Sequence, residues 1–251
     1  MMTPGASQSQ TTQALFGISG IFLINGVIVG SLATHFAALK TRLAVDPQVF
    51  SLVVMAMVAG TILAIGLSNW PLRRFGSACV LRICVVAAPL AFVLPSLSPS
   101  PALAAGSLFV LGGAAGLMDV AMNVHASTIE RIAGRLVMAR IHAVWSVGGI
   151  LGAVTTGYAL DKASPVTHSV ALATLALIAV FFLTRLLLPA SADKGGPAQP
   201  WSLPPGQILP IAGLVFLVIF CAGAMRDWSA VYLSESFATD HTVSAWGFAA
   251  F

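Results

Sequence analysis

The chain has 251 residues, of which 58% are hydrophobic and only 8% charged, with a mean hydropathy of +0.94 and a net charge of +4. A soluble domain carries about 25% charged residues, so charge this sparse excludes one and makes lipid the outer solvent. The positive excess is scattered between apolar runs, which excludes a nucleic-acid patch and reads as a topology signal.

Met1 to Gln13 is polar and uncharged, without the positive n-region of a signal peptide, and no charge occurs before Lys40. Ala14 to Leu39 is the first predicted span, with Asn25 near its middle and a Gly26-x-x-x-Gly30 close-approach face. Lys40 to Asp46 is a loop, and Asp46-Pro47 reads as an N-cap followed by proline at the first helical position. The second span is Val49 to Asn69, followed by a tight basic turn, Pro71 to Gly76. The third is Ser77 to Leu97, ended by Ser98-Pro99-Ser100-Pro101. The fourth, Ala102 to Ala126, is followed by a charged connector from Glu130 to Arg140. The fifth is Ile141 to Leu160, rich in glycine, and the sixth is Val166 to Leu188. Pro189 to Gln207 is a Pro- and Gly-rich linker. A seventh span starts near Ile208, and Val243 to Phe251 opens an eighth, too short to cross a bilayer that needs about 20 residues.

Lysines and arginines set the expected orientation. Arg73, Arg74, Arg82, Arg131, Arg135, Arg140, Arg185 and Lys194 fall on one side, and Lys40, Arg42 and Lys162 on the other. This places the N-terminus in the cytoplasm. Ala44-Val45-Asp46-Pro47-Gln48-Val49 has an echo in Ala238-Thr239-Asp240-His241-Thr242-Val243, at an offset of 194 residues. The echo predicts a parallel repeat of six spans, and a full design of about twice that offset, in which this chain stops early in its eighth span. The same offset sets Arg226 and Asp227 opposite Leu32 and Ala33, hence in the outer third of the seventh helix.

The candidate chemistry centres on the fourth span. Asp119 and Asn123 are four residues apart and share a helix face. A carboxylate at membrane depth costs a few kcal/mol and persists where it faces a bundle interior or a watery cavity. Asp119 is therefore the predicted proton-coupling acid, with a structural acid as the alternative. Asn25 and Asn123 read as solute contacts or as internal hydrogen-bonding groups. His142 and Trp145 open the fifth helix and read as lining the inner mouth or as interfacial residues. Arg226, Asp227 and Trp228 read as a cavity group able to hold an anionic solute, or as a vestibule rim. Gly112, Gly116, Gly148 and Gly152 form small-xxx-small packing faces. His35, His125 and His241 lack a metal-ligand spacing, and the three cysteines read as packing residues. No metal, cofactor or catalytic group is expected.

Six spans, a Pro-rich linker and a restart resemble the major facilitator superfamily over nearly the whole chain. Arg73-Arg74-Phe75-Gly76 sits where that superfamily carries a basic, glycine-containing signature, here without its usual aspartate. The resemblance implies a cytoplasmic gate loop of Arg73, Arg74 and Gly76. The stretch Gly116 to Asn123 is similar to the fourth helix of the fucose:proton symporter group. His142 to Gly149 and Ala224 to Leu233 are similar to a bacterial branch near that group. The first helix differs in holding no carboxylate where the sugar symporter uses one. The resemblance implies an all-α polytopic bundle with the major facilitator fold, comprising a six-helix half (1–188), a linker (189–207) and the start of a second half (208–251). It further implies alternating access in a bacterial inner membrane, by a monomer that moves a small polar solute with protons. Two other readings stay open: a rhomboid-type intramembrane serine protease, from Gly17-Ile18-Ser19-Gly20, and a non-transporting membrane protein or fragment.

Overall fold

The computed structural model describes residues 8–193 and 205–250. In chain order its helices are α1 (Gln8–Leu43), α2 (Pro47–Leu67), α3 (Asn69–Phe75), α4 (Ser77–Leu97), α5 (Pro101–Ala133), α6 (Met138–Leu160), α7 (Pro165–Leu183), α8 (Leu209–Phe237) and α9 (His241–Ala249). No strand occurs among the described residues, and seven of these helices are long and apolar enough to cross a membrane. The long helices alternate in direction. The near end of the bundle holds the start of α1, α3 and the α5–α6 turn; the far end holds the α1–α2, α4–α5, α6–α7 and α8–α9 turns.

Helix starts follow elementary chemistry. Proline opens α2, α5 and α7, where its missing N–H has no intrahelical acceptor to lose. The Ser164 hydroxyl accepts the Thr167 N–H at 3.1 Å, and Glu130 accepts the N–H groups of Val137 and Met138 at 2.7 and 3.0 Å at the start of α6. Asp46 takes the expected N-cap backbone position, but its side chain makes no capping hydrogen bond.

Several expected boundaries are corrected: α1 stays helical to Leu43, past the expected loop start at Lys40, and α7 ends at Leu183, before the expected Leu188. The basic turn at Pro71–Gly76 is instead helical through Phe75, because Pro71 falls in the first turn of α3, where proline is tolerated. The chain then turns at Gly76, with φ +81°. The connector expected from Glu130 begins later: nothing between Leu117 and Ala133 breaks a helix, so α5 runs on to Gly134 in the left-handed region. Likewise, α1 extends back to Gln8 through polar residues that contain no breaker.

Two helix pairs dominate the packing, α1 with α6 and α2 with α5. Glycines make both possible. A Cβ on Gly30 would stand 2.0 Å from the Gly149 carbonyl oxygen, and one on Gly152 would stand 2.1 Å from that of Val27. Gly112 and Gly60 play the same part between α5 and α2, against Met57 and Phe109. Lipid offers no hydrophobic drive between helices, so this close backbone approach is what holds them.

Polar chains tie further helices. His35 Nε2 lies 3.0 Å from His168 Nδ1, His168 Nε2 lies 3.4 Å from the Thr156 hydroxyl, and Thr156 donates to Ser31 at 2.8 Å. This line joins α1, α7 and α6. Arg42 gathers the last carbonyls of α4, those of Pro95, Ser96 and Ser98. At the near end, the Leu188 N–H donates to His125 Nε2 at 3.2 Å, and His125 Nδ1 meets the Ser77 hydroxyl at 2.9 Å.

Candidate functional site

The middle of α5 carries three different flanks. Gly112 and Gly116 turn toward α2, while Met118, Ala121 and Met122 are buried in the core shared with α1 and α4. Val110 and Val124 carry exposed apolar side chains on a third flank. At 100° per residue, Asp119 lies about 180° around the helix from Val110 and about 140° from Val124. Asp119 is exposed, and it opens on the flank between the α1-facing and α2-facing rows, not on the apolar one.

Two other groups join Asp119 there. Asn123, one turn on, donates its Nδ2–H to the Asp119 carbonyl at 2.9 Å and approaches Oδ1 at 3.3 Å. His142, from the first turns of α6, lies within electrostatic reach of Asp119. Its Nδ1 stands 3.0 Å from the Met138 carbonyl and its ring packs edge-on to Phe22 at 5.4 Å. A carbonyl only accepts, so Nδ1 carries the ring proton and Nε2 remains an acceptor in the neutral imidazole. The Asp119 carboxyl thus lies in the field of the His142 imidazole, and the Asn123 amide offers hydrogen bonds to a polar molecule.

Beside this group lies a buried hydrogen-bonded trio. The Trp145 indole N–H donates to Asn25 Oδ1 at 2.8 Å, and Asn25 Nδ2 reaches the Met118 sulfur at 3.8 Å. Asn25 is only 6% exposed, so both ends of its amide are engaged between α6 and α5. Met118 is the chain neighbour of Asp119, so this trio fixes the turn that carries the acid.

Other expected site residues lie elsewhere. Trp228 is half-buried on α8 and packs edge-on to Phe50 at 6.2 Å, away from Asp119. Arg226 and Asp227 lie within α8, as the 194-residue echo predicts, and their side chains fall outside the described ones. Arg73 and Arg74 are exposed on α3. Gly76 packs so tightly that a Cβ would stand 2.3 Å from the Ala190 carbonyl oxygen. Ser19, of the protease-like motif, sits on α1 with no histidine partner among the described residues. No group of three or more His, Cys, Asp or Glu that could hold a metal occurs among the described residues.

No family model matches the chain. It is 30% identical over 250 residues to an uncharacterised MFS-type transporter of Yersinia pestis, covering 99% of this chain and 63% of that protein. It is 30% identical over 245 residues to an uncharacterised transporter of Sinorhizobium fredii, covering 94% and 63%. The membrane protein MosC of Rhizobium meliloti is 27% identical over 234 residues, covering 92% and 56%. The chain thus spans less than two thirds of the length of these curated relatives. Among solved structures, a variant of the nucleoside transporter NupG superposes with a TM-score of 0.73 at 13% identity, over 94% of this chain and 63% of that one. Another NupG structure gives 0.66 at 14% identity. This multi-pass membrane bundle therefore has the major facilitator fold.

Proposed function

We propose that the chain supplies the first half, and the start of the second, of a secondary active transporter that moves a small polar solute by alternating access, coupled to protons. The single observation that carries the reading is the placement of Asp119. It is an acid at mid-bundle, grouped with Asn123 and His142, on a flank turned away from the apolar residues Val110 and Val124. An intramembrane carboxylate of this kind is costly unless it faces water or a polar partner, and its protonation removes a charge and so biases two packings of the bundle.

In this reading, Asp119 carries the proton, His142 shares its field, and Asn123 and the edge of Trp145 contact the solute. Arg226 and Asp227 add charge from the second half, and Arg73 and Arg74 on α3, with Gly76 at its end, form the cytoplasmic gate. The protein works as a monomer in a bacterial inner membrane and is not an enzyme. The N-terminus is cytoplasmic, so the near end faces the cytoplasm and the far end the exterior. Residues 1–188 form one six-helix unit, 189–207 the linker and 208–251 the opening of its mate. The nucleoside transporter that shares the fold makes nucleosides the first solutes to test. The test is a solute-binding screen on the whole protein at two pH values, repeated with Asp119→Asn. Binding that persists in the variant but loses its pH dependence supports the assignment; binding with unaltered pH dependence overturns it.

A further inference from the structure

We infer that Asp161 is the latch of the far end: its carboxylate holds the first turn of α9 against the end of α6, and the two units part there when it lets go. The inference rests on the alternating-access reading, and it assigns the closing contact to one residue.

Asp161 follows α6 directly, beside Gly157, where a Cβ would stand 2.7 Å from the His241 carbonyl oxygen. That glycine lets the start of α9 lie against α6. The first N–H groups of a helix have no intrahelical acceptor and form its positive end. Three of them are taken up here by two carboxylates. Asp240, from the chain's own turn, accepts the Val243 N–H at 2.7 Å. Asp161, from across the gap, accepts the His241 N–H at 3.0 Å through Oδ1 and the Thr242 N–H at 3.2 Å through Oδ2. Its Oδ2 also accepts the Thr242 hydroxyl at 2.5 Å. A local cap would have served α9 alone; a carboxylate from another helix makes the helix start a tie between units.

A second tie lies at the same end. Lys40, at the end of α1 and 6% exposed, pairs with Glu235 near the end of α8. By contrast, α8 is exposed from Leu209 to Phe220 at the near end. Within the chain, the ties between residues 8–193 and the α8–α9 segment thus gather at the far end. Asp161 acts on the solute path only through α9, so it is a positioning residue.

The test measures a distance. Nitroxide labels at Ala163→Cys and Ser236→Cys, in a background with the native cysteines replaced, report the separation of the α6 and α8 ends by double electron–electron resonance in lipid. The unaltered latch gives one short distance. Asp161→Ala raises a longer population severalfold, Thr242→Ala raises it less, and Asp161→Glu restores most of the short distance. Asp46→Ala, which removes a carboxylate with no capping bond at the equivalent helix start, leaves the distribution unchanged and controls for general loosening. A distribution that Asp161→Ala does not alter overturns the latch. This readout needs no transport, so a distance response without any solute-linked shift overturns the transport reading and leaves the latch standing.

Discussion

Gly30→Ala is the sharpest test of how the bundle is held. The new Cβ would stand 2.0 Å from the Gly149 carbonyl oxygen and 3.0 Å from the Ala153 nitrogen. Even a close C–H···O contact keeps the atoms about 3.3 Å apart, so the overlap exceeds about 1 Å. The obstacle is backbone, which cannot rotate aside, and α1 and α6 must separate along the whole Gly26–Gly30 face. Overpacking of this kind costs about 1–3 kcal/mol. The better helix propensity of alanine returns about 0.5–1 kcal/mol. The net expectation is a loss of about 0–2.5 kcal/mol. Gly106→Ala is the matched control, because nothing lies within 4 Å of its Cβ position. It gains about 0.5–1 kcal/mol by the propensity argument alone. Unfolding midpoints in mixed detergent micelles, read by far-UV circular dichroism, rank the pair. If Gly30→Ala unfolds no earlier than Gly106→Ala, the glycine contacts do not hold α1 to α6.

Trp145→Phe removes the donor to Asn25 and leaves a buried carbonyl oxygen without its partner. It should cost about 1–3 kcal/mol in the same assay, against little change for Trp246→Phe on the exposed face of α9. The far-end latch has a predictable pH response. Loss of water around the Asp161 carboxyl raises its pKa, but the Thr242 hydroxyl, the His241 and Thr242 N–H groups and the His241 imidazole outweigh this, so it lies below its ordinary value. A depressed carboxyl contributes fully above its unfolded pKa of about 3.9 and is lost as pH falls through the lower folded value. The short far-end distance should therefore persist from pH 8 down to about pH 4 and lengthen only below it. Lengthening that begins near pH 6 would assign the change to a histidine instead.

The fold was legible because lipid sets a blunt rule: each crossing needs about 20 apolar residues, and composition shows where they are. What sequence missed were local exceptions and distant meetings. Pro71 looked like a turn because proline usually breaks helices, and only its place in the first turn of α3 makes it harmless. Asp119 and Asn123 were readable as one group because a helix repeats every 3.6 residues. That His142 would reach Asp119 depends on where α6 packs, which no local pattern encodes. Met118 gave no signal as a hydrogen-bond acceptor, since methionine in an apolar helix reads as packing. Arg42 read as a topology charge, yet it caps α4. Asp161 lies just past the fifth predicted span, where nothing local marks it, and its role appears only once α9 is folded against it.

The central claim is that Asp119 carries the coupled proton. The most direct measurement is proton movement during solute entry, read with a pH-sensitive dye inside vesicles holding the whole protein. The account predicts that solute addition acidifies the lumen in step with uptake, and that Asp119→Asn abolishes the proton signal while bound solute is still detected. A proton signal of equal size in Asp119→Asn would contradict it.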